Sequence, residues 1–410
     1  MRPTAILALA VCFLPPPVSG QAAPQPRARD LGVPFDGTPG PLNAITDVAG
    51  VTVGQVTIVS GKGPLVVGQG PVRTGVTAVL PRGAANGDPV MAGWFTLNGN
   101  GEMTGTTWLE ESGFLAGPVM ITNTHSVGVV RDAVIEWLVH KGFNFDWSLP
   151  VVAETWDGSL NDINGFHVSK QDAFRALDSA KTGPVAEGNI GGGTGMICHQ
   201  FKGGIGTASR RFAIEDKTYT LGVLVQCNYG VRRLLRIAGV PVGTEIPDLL
   251  PCLDTAEPRP NADERYPRCT AKVGARDPGP GGVGEMGSII VVVATDVPLL
   301  PHQLQRVARH VSLGIGKMGG LGSNSSGDIY VAFSTANPGA ADAKGLHAAT
   351  YIPNEAITTV FEATVQATEE SITNALVAAE TMTGANDLRV SALPHDRLRA
   401  ALQKYNRLAK

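Results

Sequence analysis

Charge is scarce in this chain. Only 17% of its 410 residues are Asp, Glu, Lys or Arg, the formal net charge is -3, and the two signs interleave without forming a basic stripe. With no nucleic-acid motif beside it, that balance argues against a polyanionic partner. Long apolar runs are missing as well. After the first two dozen residues nothing approaches the roughly 18 consecutive apolar positions of a membrane helix, so no membrane association is expected of the mature chain. The five cysteines and eight histidines fall into no spacing that resembles a ligand set, and neither a metal nor an organic cofactor is expected. The glycine-rich stretch Gly188-Asn189-Ile190-Gly191-Gly192-Gly193-Thr194-Gly195-Met196 lacks the lysine of a phosphate loop and the register of a dinucleotide-binding turn. That argues against nucleotide binding and leaves two uses for it, close backbone packing or backbone N–H groups near a site.

What is abundant is apolar and turn-forming. Hydrophobic residues make up 43% of the sequence, enough for a large buried core, and 51 glycines with 29 prolines imply many turns and tight backbone approaches. The length allows one large or two ordinary domains. Met1-Arg2, the apolar residues 5–14, Pro15-Pro16-Pro17 and the small residues up to Ala23 read as a secretory signal. Residues 1–23 are therefore expected to be removed and the mature protein exported, to the periplasm or the medium, with an uncleaved N-terminal anchor as the alternative. Cys12 would leave with the signal. Cys252 and Cys269 share one loop-like segment and can pair in an oxidising compartment, whereas Cys198 and Cys227 lie in apolar or glycine-rich surroundings that suit buried thiols better than a second bridge.

The chain is organised around Gly284-Glu285-Met286-Gly287-Ser288 and the apolar residues 289–294 that follow. A strand apolar on both faces is a sheet centre, so a glycine-rich approach that delivers a serine to its first position fixes that hydroxyl on rigid scaffold. Leu300, Leu304, Val307, Val311 and Ile315 then recur at helical spacing, and residues 323–328 lead into Ile329, Val331 and Phe333, which alternate as in a strand. Strand, helix, strand predicts a crossover with parallel strands that start on one sheet edge, bringing Ser288 beside Ser326 and Asp328.

Ahead of this unit, residues 24–40 read as a mobile leader, residues 43–54 and 74–81 as early strands, 98–105 as a tight loop, and 108–112 as the start of a short helix. Residues 119–124 form a buried strand, and residues 128–140 a helix with Val130, Val134, Ile135 and Leu138 on one face. The next strand, 150–157, ends in Glu154, Trp156 and Asp157. Stranding a buried carboxylate costs about 3 to 5 kcal/mol, so Glu154 calls for a cation, either an internal arginine or a ligand. Residues 217–227 are a strand that delivers Asn228. Residues 241–285, dense in proline and in alternating charge, read as an exposed, weakly structured linker. Residues 353–384 form one long helix or two stacked ones.

Gly287-Ser288-Ile289-Ile290, the Ser326-Gly327-Asp328 turn and residues 332–337 resemble signatures of the L-aminopeptidase/D-amidase-D-esterase family, which includes the β-aminopeptidases. Residues 43–54, 369–376 and 381–384 match it too, so the resemblance spans most of the chain. It implies an α/β fold layered as an αββα sandwich. It also implies one catalytic domain over residues 24–410, made as an inactive precursor that cuts itself between Gly287 and Ser288 into an α-subunit (24–287) and a β-subunit (288–410). Ser288 becomes the N-terminal nucleophile. Glu154 takes the free amino group of the substrate, Asn228 donates to the oxyanion, and the 98–112 stretch lines the pocket. Relatives often carry tyrosine where this chain has Trp156; the indole N–H donates but cannot accept, so Trp156 keeps only the role of a pocket wall.

Two bases are open for Ser288: its own α-amine, with an ordinary pKa of about 7.7 to 8.0, and Ser326 relaying to Asp328. The implied activity is that of an exported serine aminopeptidase acting on small peptides, amides or esters with a free amine, L-aminoacyl with D- or β-aminoacyl open beside it, as a homo-oligomer of αβ units, a tetramer by the resemblance. Two rival classes stand beside it: a self-processing acyltransferase of the glutamate N-acetyltransferase type, and a secreted non-catalytic binding protein on the same fold.

Overall fold

The computed structural model describes residues 26–143, 145–256, 266–270 and 287–409. The signal-peptide reading of residues 1–23 lies outside them, as do residues 257–265 and 271–285 of the expected linker and Gly284-Glu285-Met286 of the approach to Ser288. In chain order the elements are β1 (Thr52–Ser60), β2 (Val72–Leu80), β3 (Val90–Gly99), α1 (Thr106–Ser112), β4 (Phe114–Leu115), β5 (Val119–Asn123), α2 (Val127–His140), β6 (Val151–Thr155) and α3 (Lys170–Asp178). There follow β7 (Ile197–Cys198), β8 (Phe201–Lys202), β9 (Gly204–Ile214), β10 (Lys217–Asn228), α4 (Val242–Glu245) and β11 (Cys252–Leu253). The last group is β12 (Gly287–Thr295), α5 (Pro301–Lys317), β13 (Ser326–Ser334), α6 (Thr358–Val377), β14 (Met382–Thr383), β15 (Leu388–Val390) and α7 (His395–Lys404).

Two sheets carry the fold, one of six strands ordered β4-β3-β13-β12-β10-β9 and one of four ordered β1-β2-β5-β6. Strand alternation sorts their apolar residues into three layers. Ile290 and Val292 of β12, with Ile329 and Phe333 of β13, meet Val79, Ile121 and Ala153 of the smaller sheet. Val291 and Val293 turn the other way, onto Leu304, Val307, Ile372 and Leu376 of α5 and α6. Met120 and Val152 cover the far face of the smaller sheet beneath α2 and α3, against Val130, Val134 and Leu177. Helices, sheet, sheet, helices is the αββα sandwich expected from the resemblance. β12 is central because both its faces are covered, which is why its sequence is an unbroken apolar run.

Several local readings are corrected. Residues 26–40 are not a mobile leader: Ala28–Leu31 form a 3-10 turn whose Ala28 and Leu31 join the helical core, and Arg27 and Arg29 pair with Glu187 and Glu370 at 2.7 Å each. Those carboxylates lie far along the chain, so local composition could not reveal them. Residues 43–54 hold a 3-10 turn, Ile45–Asp47, before β1 opens at Thr52. Residues 241–256 of the expected linker are built into the fold, with Val242 and Ile246 buried in the core and β11 paired to β15. The single helix α6 runs twenty residues and ends before Gly384. Cys252 and Cys269 are joined, but so are Cys198 and Cys227, with Cα atoms 5.6 Å apart; the expected buried thiols are buried, as a disulfide.

Candidate active site

The crossover read from the sequence is present, and it sets the geometry of the site. β12 and β13 are parallel, with Gly287 beside Ser326, Ser288 beside Gly327 and Ile289 beside Asp328. On its other edge β12 runs antiparallel to β10, where Asn228 stands opposite Ser288. Partnered residues share a face, so Ser288, Gly327 and Asn228 all look into the space between the sheets. A Cβ on Gly327 would point at the Asn100 carbonyl oxygen, 2.4 Å away, and one on neighbouring Gly101 would lie 3.2 Å from Glu154 Oε1. Glu154, one residue before the end of β6, shares the Val152 face of the smaller sheet, yet its carboxylate reaches Gly101 and so borders this space at its edge.

Glu154 is buried and receives hydrogen bonds from the Glu102 backbone N–H at 2.9 Å and from the Thr124 hydroxyl. No lysine or arginine of the described residues pairs with it. Burial pushes its carboxyl above the usual glutamate range, and the two hydrogen bonds oppose that shift only in part. Exposed His125, stacked on Phe166 at 6.0 Å, is the one nearby group whose charge favours the carboxylate among the causes of the shift. Trp156 lies two residues on. Its indole folds back over Gly158, where a Cβ would come within 2.5 Å of Cζ2, so glycine there is what lets the ring form a partly exposed wall.

Ser326 and Asp328 are fully buried, and the Ser326 hydroxyl donates to Asp328 Oδ1 at 2.7 Å. Two residues apart on one strand, they share the face opposite to that of Gly327, so they flank the main chain around Gly287–Ile289. The register brings the pair to the neighbourhood of Ser288, as the crossover predicted, but to the main-chain side of it. Asn228 is a strand-end residue, with its Nδ2 donating to the Trp156 carbonyl at 2.9 Å and its Oδ1 accepting from the Ile197 N–H at 2.7 Å.

The glycine-rich stretch is a packing device. Gly192 leaves room for Gln226, where a Cβ would meet Oε1 at 2.2 Å, and Gly193 for the Ile205 N–H at 2.5 Å. Gln226 uses that room to bridge the two sheets, donating to the Thr122 carbonyl at 3.1 Å and the Thr155 hydroxyl at 2.8 Å. Two buried ionisable groups carry no role in the sequence reading. Asp157 stands there only as a strand-end carboxylate, and Lys202 is absent from it, although a lysine between Phe201 and Gly203 in apolar surroundings is the available signal. Burial raises Asp157 to about 7 and lowers Lys202 to about 7.

Comparisons with known proteins fit this arrangement. The sequence profile of peptidase family S58 matches residues 43–390. A β-peptidyl aminopeptidase BapA from Sphingosinicella microcystinivorans is 57% identical over 389 residues, 95% of this chain and 94% of that protein. BapA from Sphingosinicella xenopeptidilytica is 48% identical over 91% of this chain and 90% of its own. Among solved structures, the L-aminopeptidase D-Ala-esterase/amidase of Ochrobactrum anthropi, described as a prototype serine aminopeptidase and a variant of the Ntn hydrolase fold, superposes with a TM-score of 0.81 at 46% identity, covering 94% of this chain and 100% of that one. A Burkholderia β-aminopeptidase superposes with a TM-score of 0.78 at 45% identity over 92% of this chain and 98% of its own. With the family profile matched over most of its length and close relatives over nearly all of it, the chain belongs to peptidase family S58, the N-terminal-nucleophile aminopeptidases.

Proposed function

We propose that this aminopeptidase activates itself by cutting the Gly287–Ser288 bond and then removes single N-terminal residues from small peptides, amides and esters. Membership of a peptidase family displaces the two rival classes, acyltransferase and non-catalytic binding protein. The observation that carries the reading is that Ser288 stands opposite Asn228 and beside Gly327, while a Glu154 that no lysine or arginine of the described residues neutralises brings its Oε1 to Gly101, which packs on Gly327. In self-processing, Ser288 Oγ attacks the Gly287 carbonyl, the C–N bond breaks as the ester forms and the Ser288 nitrogen leaves as a free amine with a proton, and water then hydrolyses the ester to the Gly287 carboxylate and the free Ser288 hydroxyl. In turnover the same Oγ attacks the substrate carbonyl, the amine or alcohol departs with a proton, and water releases the acyl group.

Asn228 donates to the tetrahedral oxyanion, a contribution of about 2.7 to 4 kcal/mol for a strong donor. The α-amine is the base that lies on the Ser288 main chain, and the Ser326–Asp328 pair flanks that main chain; this favours the amine as base with the buried pair supporting it. Glu154 binds the substrate ammonium, and that pairing sets which carbonyl reaches Ser288, so cleavage is confined to the first residue. Trp156 walls the pocket. The names of the two Sphingosinicella relatives support β-aminoacyl residues among the substrates, beside L- and D-aminoacyl ones. The subunits are 24–287 and 288–410, assembled as a homo-oligomer of αβ units, and the signal-like residues 1–23 support export to the periplasm or medium.

A panel of L-, D- and β-aminoacyl p-nitroanilides, each free and N-acetylated, tests the reading together with the intact mass of the purified protein. Two masses meeting at Ser288, and turnover of the free-amine members only, are expected. One full-length active chain, or equal rates on blocked and free substrates, overturns it.

A further inference from the structure

Lys202 and Asp157 take no part in the chemistry just described, yet both connect to Asn228. The Lys202 side chain is fully buried, and its Nζ donates to the carbonyls of Met196 at 2.6 Å, Gly203 at 2.8 Å and Gly193 at 3.4 Å. The Met196 carbonyl belongs to the same peptide group as the Ile197 N–H, which donates to Asn228 Oδ1 at 2.7 Å. On the other side of the Asn228 amide, Nδ2 donates to the Trp156 carbonyl at 2.9 Å. That carbonyl belongs to the peptide group that leads into Asp157, whose carboxylate therefore lies beside the N–H end of that group. The carboxylate is itself buried and accepts from Asn161 Nδ2 at 3.0 Å.

The Asn228 amide is therefore held between two peptide groups, each with an ionisable side chain at its far end. A donor on the Met196 carbonyl makes the Ile197 N–H a stronger donor, and the buried Asp157 carboxylate beside the N–H end of the Trp156–Asp157 peptide group makes the Trp156 carbonyl a stronger acceptor. Both polarise the Asn228 amide in the same sense, and both fix its flip, with Oδ1 toward Ile197 and one Nδ2 hydrogen toward Trp156. The second Nδ2 hydrogen is left for the face shared with Ser288.

We propose that Lys202 and Asp157 are a pair of positioning residues that lock and polarise Asn228 through the Met196–Ile197 and Trp156–Asp157 peptide groups. The proposal rests on the reading of Asn228 as the oxyanion donor, and the test separates the two. kcat and KM are measured for the full, processed enzyme on a free-amine aminoacyl p-nitroanilide, with Lys202→Met and Asp157→Asn each made alone and on the Asn228→Ala background. Each single variant is expected to lower kcat about tenfold with KM changed less than twofold, and neither should lower it further once Asn228 is gone. Single variants with wild-type kcat, or equal losses with and without Asn228, overturn the proposal while leaving the donor role of Asn228 intact. Wild-type kcat in Asn228→Ala removes that donor role and the proposal with it. Asp157→Asn keeps the shape of the side chain and guards against a misfolded Lys202→Met. A second readout needs no turnover: in the uncut Ser288→Ala precursor, the Asn228 side-chain amide protons are expected to move upfield in both variants, and unmoved resonances overturn the proposal.

Discussion

The backbone at Gly287 leaves room for a hydrogen and little else, because a Cβ there would sit 1.9 Å from the Asn228 carbonyl oxygen. The carbonyl that Ser288 attacks in the proposed cut is thus held against the strand bearing the proposed oxyanion donor, and Gly287→Ala must push the two apart. We expect Gly287→Ala to leave the precursor uncut, as Ser288→Ala does, but with a lower melting temperature than Ser288→Ala; intact mass and thermal melting distinguish them, and efficient cutting in Gly287→Ala would count against this geometry. Glu154 makes the converse case. Burial raises its pKa, so the folded state holds a proton that the unfolded state has released over the window between the ordinary glutamate value and the raised one. Stability therefore falls as pH rises through that window, and the unpaired carboxylate is a cost at neutral pH that the proposed substrate ammonium would relieve. Glu154→Gln should raise the melting temperature at pH 7, by on the order of 2 °C, while lowering kcat/KM for free-amine substrates by about 10- to 100-fold and sparing self-cleavage. A variant less stable than wild type, or one fully active, would refute this. Glu154 is legible from the sequence as a carboxylate ending an apolar strand; that no arginine of the described residues partners it is not, because pairing is decided by elements remote in the chain.

At the level of elements, the β12–α5–β13 crossover is legible because its signals are local: an apolar run, a 3.6-residue period over Leu304, Val307, Val311 and Ile315, and a Ser-Gly-Asp turn before an alternating strand. What the sequence conceals depends on long-range partners. The Cys198–Cys227 bridge links β7 to the end of β10, two short stretches whose approach is set by the glycine packing between them, and Gly203 supplies part of it, its Cβ position lying 2.6 Å from Cys198 Cβ. The ordering of residues 27–31 depends on α6, where Glu370 accepts from Arg29 and also pairs with Arg210 at 2.8 Å. Arg210 and Glu370 side chains are each 1% exposed, so removing the carboxylate strands a buried guanidinium. Glu370→Ala should lower the unfolding free energy by about 3 to 5 kcal/mol, read by chemical denaturation of the uncut Ser288→Ala precursor, where cleavage does not complicate the transition. A loss below about 1 kcal/mol would mean that the pair is no better than a surface one.

For the whole molecule, the strand order decides what happens after the proposed cut. The two strands that begin the proposed β-subunit, β12 and β13, occupy the middle of the six-stranded sheet, with β10 and β9 on one side and β3 and β4 on the other, all four from the proposed α-subunit. α5 and α6 of the same subunit cover that sheet, and Asn374 of α6 accepts from the Ala28 N–H at 3.0 Å. Neither product keeps the six-stranded sheet when separated: the α-chain would be left with β4-β3 and β10-β9 as two unconnected edges beside its own four-stranded sheet, and the β-chain with two apolar strands unpaired on both outer sides. Exposed ion pairs that cross the boundary, such as Arg397 with Asp248 at 2.6 Å and Lys404 with Glu245 at 2.8 Å, contribute little beside this, and salt screens them. The processed enzyme is therefore expected to elute as one species containing both chains in equal amounts, unchanged in high salt, and to lose both chains' native signals in a single denaturant transition. The β-chain, diluted alone out of denaturant, should fail to fold, and should regain activity only when the α-chain is present. A β-chain that elutes by itself in native buffer, or that folds alone, would show that the cut precedes a looser association than this interleaved sheet allows.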